Sequence, residues 1–248
     1  MKKLLSFSIA LLSVTTLVAC SGHKAESKVP EEKIEQKQIK FDEKLFKEAG
    51  LLPFKNEKQL ELRELDSKSR ATGAHIQLKD SDEPTEKRES KLTYDPVGWH
   101  NYKFFYSDGK KEAWLMSRGH LIGYQFSGLN DEKRNLVPMT NWLNAGNYSG
   151  TDDQNDRKRV NSSLDQNQSS MLYYENRLDS WLANHPNYYL DYKVTPIYQK
   201  DELIPRQIEL QYVGIDENGK LLEIKLGGSK EKVDQYSVTH VILDNVSA

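Results

Sequence analysis

Ser117 to Asn144 is the stretch of this chain whose residue types could do chemistry together, because it sets His120 at the end of an apolar strand and brings Asn135, Asn141 and Asn144 from the segment that follows. The histidine ends an apolar stretch in Ser117-Arg118-Gly119-His120-Leu121. The asparagines arrive from the segment that follows, Asn135-Leu136-Val137-Pro138-Met139-Thr140-Asn141-Trp142-Leu143-Asn144. An imidazole with an ordinary pKa of about 6.5 can take a proton near neutral pH. Magnesium keeps most of its waters and often needs only one or two protein oxygens, so a single asparagine carbonyl is enough to hold it. Glu175 is a further candidate, because it stands four residues from Met171 and three from Leu172 and Leu178. That spacing puts a carboxylate on or beside an apolar helical stripe, where burying it needs a reason.

Several elements must position these groups. Asp95-Pro96-Val97-Gly98-Trp99-His100 leads into a strand through Phe104 to Tyr106, Ser107-Asp108-Gly109-Lys110 is a tight-turn signature, and Glu112 to Met116 gives the returning strand. The hairpin is predicted to end at Ser117, with Arg118-Gly119-His120 breaking the strand pattern and Gly119 bending the backbone so that His120 projects. Asn141 to Asn147 has the length of a short helix, and Tyr148 to Asn167 reads as a polar inserted loop. Ser169 or Ser170 caps a helix running through Ala183, stopped by Asn184-His185-Pro186, with Met171, Leu172, Leu178, Trp181 and Leu182 as its buried face.

Elsewhere the pattern is mixed. Phe41 to Leu52 is a sparse lead-in, Ala71 to Leu78 a short strand, and Lys79 to Lys91 a charged surface loop carrying Pro84. Tyr188 to Tyr198, Arg206 to Asp216, Lys220 to Leu226 and Val238 to Leu243 read as strands. The predicted class is α+β, a mostly antiparallel central sheet with packed helices.

The first twenty residues follow another logic. Met1-Lys2-Lys3 is a basic start, Leu4 to Val18 an apolar core, and Leu17-Val18-Ala19-Cys20 sets small residues before the only cysteine. Residues 1–19 are read as a signal peptide and residues 20–40 as a lipidated Cys20 followed by a polar tether. Residues 41–248 form a single domain in this reading, on the outer face of a bacterial membrane. The final four leader residues resemble a bacterial lipobox; the plainer alternative is a signal peptide with an incidental cysteine. With 37% apolar and 29% charged residues the remainder is no membrane bundle. The formal charge of −2 excludes a protein that coats nucleic acid stoichiometrically, because neutralising phosphates takes a strongly basic surface. Any attraction for polyanions must be local, and Arg157-Lys158-Arg159, Lys110-Lys111 and Lys133-Arg134 are the clusters that could supply it.

Arg118-Gly119-His120-Leu121, Asn135, Thr140-Asn141-Trp142-Leu143-Asn144 and Tyr173-Tyr174-Glu175 resemble the core motif of the DNA/RNA non-specific endonucleases, whose active site is a ββα-metal motif. The resemblance implies phosphodiester hydrolysis of DNA, with RNA left open, leaving a 5′-phosphate. It gives His120 the part of general base, Asn144 that of metal ligand and Asn135 that of supporting active-site residue. Glu175 would hold the metal's waters, and Arg118 would sit at the substrate. The implied ion is magnesium, with manganese as the alternative. Ser117 replaces the family's aspartate and Met139 stands where glutamine is common. Those departures leave a second reading, a non-catalytic DNA-binding surface lipoprotein on a nuclease-like fold. An unrelated hydrolase built on His120 is a third, without a Gly-x-Ser-x-Gly or a His/Asp cluster to support it. His75, His100, His185 and His240 lack comparable context and are read as structural. No protein partner is implied.

Overall fold

Two runs of nine residues with alternating apolar side chains, Tyr189–Ile197 and Gln207–Ile215, form the middle of the main sheet. The computed structural model describes residues 41–89, 91–106, 109, 111–147 and 166–246. In chain order the strands are β1 (Gln59–Leu62), β2 (Ala74–Leu78), β3 (Lys103–Tyr106), β4 (Lys111–Trp114), β5 (Met116–His120), β6 (Leu136–Thr140), β7 (Tyr189–Ile197), β8 (Gln207–Ile215), β9 (Leu221–Leu222), β10 (Lys232–Val233) and β11 (Thr239–Asp244). The helices are α1 (Glu43–Glu48), α2 (Tyr124–Ser127), α3 (Asn141–Ala145) and α4 (Met171–Asn184). The main sheet runs β1-β2-β7-β8-β11-β10, with β9 pairing to β8, and every pairing in it is antiparallel. The pairs β3-β4 and β5-β6 stand apart from it, so the α+β expectation holds.

The period of two along each strand sends Ile76, Leu78, Leu190, Tyr192, Leu210, Tyr212, Val241 and Leu243 to one face, where they form the core with Leu178 and Leu182 of α4 and Leu121, Val137 and Met139 of the β5-β6 unit. Helix α4 starts where Ser170 accepts the Tyr173 N–H, which satisfies one of the orphan donors of the first turn. Its buried stripe differs from the expectation: Tyr173 and Tyr174 are buried while Leu172 and Trp181 are half-buried. Asn245 stitches the β5-β6 pair to the sheet, accepting the Thr140 N–H at 2.8 Å and donating to the Pro138 and Pro205 carbonyls at 3.0 and 2.8 Å.

Two expectations are corrected. Arg118-Gly119-His120 does not break the strand; β5 continues to His120, with Gly119 paired to Val137. Gly119 serves close approach rather than a bend, since a Cβ there would lie 2.4 Å from the Met139 sulfur. Of the strand expected over Lys220 to Leu226, only Leu221–Leu222 pairs; beyond it the Ile224 and Leu226 carbonyls accept from the Thr239 and Tyr173 hydroxyls at 3.4 and 3.2 Å. No helix among the described residues is long and apolar enough to cross a membrane. The leader, Cys20, the tether to residue 40 and Arg157-Lys158-Arg159 lie outside the described residues.

Candidate active site

Strands β5 and β6 pair from Met116↔Thr140 to His120↔Leu136, and the pairing is extended by the Leu121 N–H donating to the Asn135 carbonyl at 2.8 Å. This fixes His120 at the end of β5. Fully buried Asn135 grips the turn beyond it: its Oδ1 accepts the Ile122 N–H at 3.0 Å and its Nδ2 donates to the Ile122 carbonyl at 2.9 Å. Glu175 reaches the same turn from α4 and accepts the Gly123 N–H at 2.9 Å and the Gln125 amide at 3.3 Å. The fit is close enough that a Cβ on Gly123 would stand 2.6 Å from the Glu175 carboxylate. Three residues picked out by sequence, His120, Asn135 and Glu175, thus meet around residues 120–123.

Burial pushes the Glu175 carboxyl up to about 7, against the opposing pull of the Gly123 N–H and Gln125 amide. His120 Nε2 lies 2.8 Å from the Asn130 carbonyl. A carbonyl only accepts, so Nε2 carries the proton and Nδ1 is left with a lone pair. Burial holds the imidazole down to about 4, with the Arg88 guanidinium acting the same way and the Asn130 carbonyl opposing. The ring is therefore neutral at pH 7, well below the ordinary histidine range expected from the sequence. Asp131 keeps the carbonyl-bearing loop in place, accepting the Thr93 and Tyr94 N–H groups at 2.9 Å each.

Arg118 extends to Asp95 at 2.6 Å and lies over the Trp99 ring at 4.1 Å. Ser117 donates its hydroxyl to the Asn141 carboxamide, whose Nδ2 donates to the Trp114 carbonyl at 2.6 Å. The serine therefore supplies a hydrogen bond at the position where the resemblance expected a carboxylate. Asn144 sits on α3, which is capped by the Thr140 side chain accepting the Leu143 N–H at 3.1 Å and packs on β5, β6 and α4.

No group of three or more His, Cys, Asp or Glu side chains among the described residues could cage a metal. The half-buried Asn144 carboxamide makes no hydrogen bond among the described residues, so its oxygen is open to a ligand. This donor set fits an ion that retains its water, as magnesium does, and does not fit a fully protein-bound zinc. Sequence reasoning missed Arg88, which lies in the segment read as a charged surface loop and gives no sign of its proximity to His120. It also missed Asn130, which acts through its backbone and so leaves no side-chain signature.

A neutral, oriented imidazole at the end of a ββα unit, with the Arg88 guanidinium acting on it, is compatible with a hydrolase of phosphodiesters, a nuclease. The family model of the DNA/RNA non-specific endonucleases matches residues 54–163 and 150–214, and the chain belongs to that family. Among solved structures, an "extracellular nuclease" shares 50% identity over 79% of this chain and 89% of its own, with a TM-score of 0.61. An "extracellular endonuclease" shares 50% identity over 80% and 83%, with a TM-score of 0.63. NucA from Streptococcus agalactiae, solved with a magnesium ion bound, is 19% identical over 79% of this chain and 74% of its own, with a TM-score of 0.50, and is alike in fold. None of the curated proteins matches the chain.

Proposed function

We propose that this non-specific endonuclease cuts DNA, with RNA as an open second substrate, using Nδ1 of His120 as general base and Asn144 as the protein ligand of a magnesium ion. In this reading Nδ1 takes a proton from water, the resulting hydroxide attacks phosphorus, and the 3′ oxygen departs to leave a 5′-phosphate. A hydrated magnesium ion on Asn144, or manganese in its place, would supply Lewis-acid stabilisation of charge on the phosphate. Asn135 and Glu175 hold the 120–123 turn, and the free lone pairs of the Glu175 carboxylate are assigned to the ion's waters. Arg118 and Arg88 face the polyanion. The observation that carries the proposal is the 2.8 Å contact of His120 Nε2 with the Asn130 carbonyl, which presents Nδ1 as a proton acceptor.

The two departures from the family pattern are absorbed structurally. Ser117 bonds Asn141, and Met139 fills the space above Gly119, so neither favours the non-catalytic reading. His120→Ala is expected to lower plasmid cleavage in magnesium by about 10²- to 10⁴-fold, the usual worth of a general base, with the fold intact by circular dichroism. Full activity in that variant would overturn the assignment, as would cleavage that survives chelation.

The leader and the extracellular relatives support secretion. We assign the anchor to a lipid on Cys20, so that Cys20→Ala releases the protein into the medium; retention of that variant on the cell would remove the anchor from the proposal.

A further inference from the structure

The segment leading into and through the β3-β4 hairpin turns three aromatic rings to solvent: Tyr102 is 58% exposed, Phe105 69% and Trp114 48%. The other exposed large apolar residues of the described surface, Leu203, Ile204, Val233, Ile242 and Val246, are aliphatic. Concentrated exposed aromatics mark a contact surface, because leaving such rings in water forfeits their large burial energy.

The register places Lys103 opposite Trp114 and Phe105 opposite Glu112, so these four share one face. Lys103 lies 5.0 Å from the Trp114 ring centre and pairs with Glu112 at 2.8 Å. The His100 and Tyr102 rings lie 4.4 Å apart at a tilt of 53°, and Arg118 lies over Trp99, continuing the run of rings toward β5. The hairpin is also wired to the site. The Leu115 N–H donates to the Tyr102 carbonyl at 2.8 Å, the Asn141 N–H to the Leu115 carbonyl at 2.8 Å, and the Asn141 side chain to the Trp114 carbonyl. Asn144 follows Asn141 by about 4.5 Å of helix axis at 1.5 Å per residue.

We propose that this face is a stacking platform for unpaired bases, and that the enzyme accordingly prefers single-stranded nucleic acid to duplex. The inference rests on the site assigned above. In a duplex the faces of the bases are already stacked and only their edges are offered in the grooves. Flat rings on a hairpin can meet base faces only when the strand is unpaired, and such stacking tolerates any sequence.

The test compares wild type, Trp114→Ala, Phe105→Ala and Trp114→Phe on an unpaired oligonucleotide and a blunt duplex of the same length, with magnesium. For each alanine variant the KM for the unpaired strand is expected to rise about tenfold, the scale of one base-stacking contact. The kcat and all duplex parameters should stay within about twofold, and Trp114→Phe should restore most of the loss. Binding of the unpaired oligonucleotide is measured in parallel by anisotropy in the His120→Ala background, so the platform is read even if the catalytic assignment fails. Equal losses on both substrates, or no loss on either, would overturn the proposal. So would weaker binding to phosphatidylglycerol vesicles in the alanine variants with oligonucleotide binding unchanged, which would make the face a lipid contact.

Discussion

His120 shows how one hydrogen bond decides what a residue can do. Without the Asn130 carbonyl either ring nitrogen could carry the proton; with it, Nδ1 is the acceptor. Because the pKa is held down to about 4, the base proposed here is unprotonated throughout the neutral range. The acid limb of kcat/KM is thus expected near pH 4 rather than 6.5. Arg88 contributes to that depression, so Arg88→Gln should move the limb toward neutral pH, as read in a pH–rate profile or a histidine titration. An unmoved limb would separate Arg88 from the base. Asn135 is a holding residue by its contacts. Asn135→Ala leaves the buried N–H of Ile122 without its partner and the Ile122 carbonyl with only the Ser127 hydroxyl at 3.3 Å, a loss of about 2 kcal/mol at 1–3 kcal/mol per unsatisfied group. Denaturant unfolding measures it, and a change below about 1 kcal/mol would show that water replaces the amide.

At the scale of elements, much was legible because the signals are local. Ser169 or Ser170 before an apolar stripe marked the start of α4, where the structure uses Ser170, and the odd placement of Glu175 beside that stripe pointed to a job, which the Gly123 N–H supplies. What was not legible depends on partners distant in sequence. The extension of β5 through Gly119 is set by pairing with Val137, and the reason for the glycine lies in the Met139 side chain across the ladder. Gly119→Ala should therefore destabilise the protein by about 1–3 kcal/mol, as overpacking does. Met139→Ala made in that background should cost less than it does alone, since the new methyl then has room. A double-mutant cycle on thermal unfolding reads this coupling, and strictly additive losses would show that the glycine is needed for another reason.

For the molecule as a whole, the net charge of −2 hid both the Arg88 charge acting on His120 and a second kind of electrostatic tie. Glu83, in the segment between β2 and the active-site loop, meets Asp179 of α4. Burial first, then the charges of Asp179 and Asp80, push its carboxyl up to about 8, while Lys58 opposes. The folded chain then holds a proton that the unfolded chain, with a carboxyl near 4.5, releases. Between pH 4.5 and 8 the folded state binds more protons, and stability must fall as pH rises through that window. Glu175, raised to about 7, adds the same slope over the lower part of the range. His120 acts in the opposite sense: depressed to about 4 from 6.5, it makes stability rise with pH between those values. The slopes oppose below about pH 6.5 and only the carboxyl slope persists above it. Two raised carboxyls outweigh one depressed imidazole below about pH 6.5, so the melting temperature is expected to decline gently from pH 5 to 6.5, more steeply toward pH 7, and on toward pH 8. Glu83→Gln should lessen that decline because the amide cannot ionise. An equally steep decline in Glu83→Gln would mean that the pair of carboxyls does not join the 80s segment to α4 in solution.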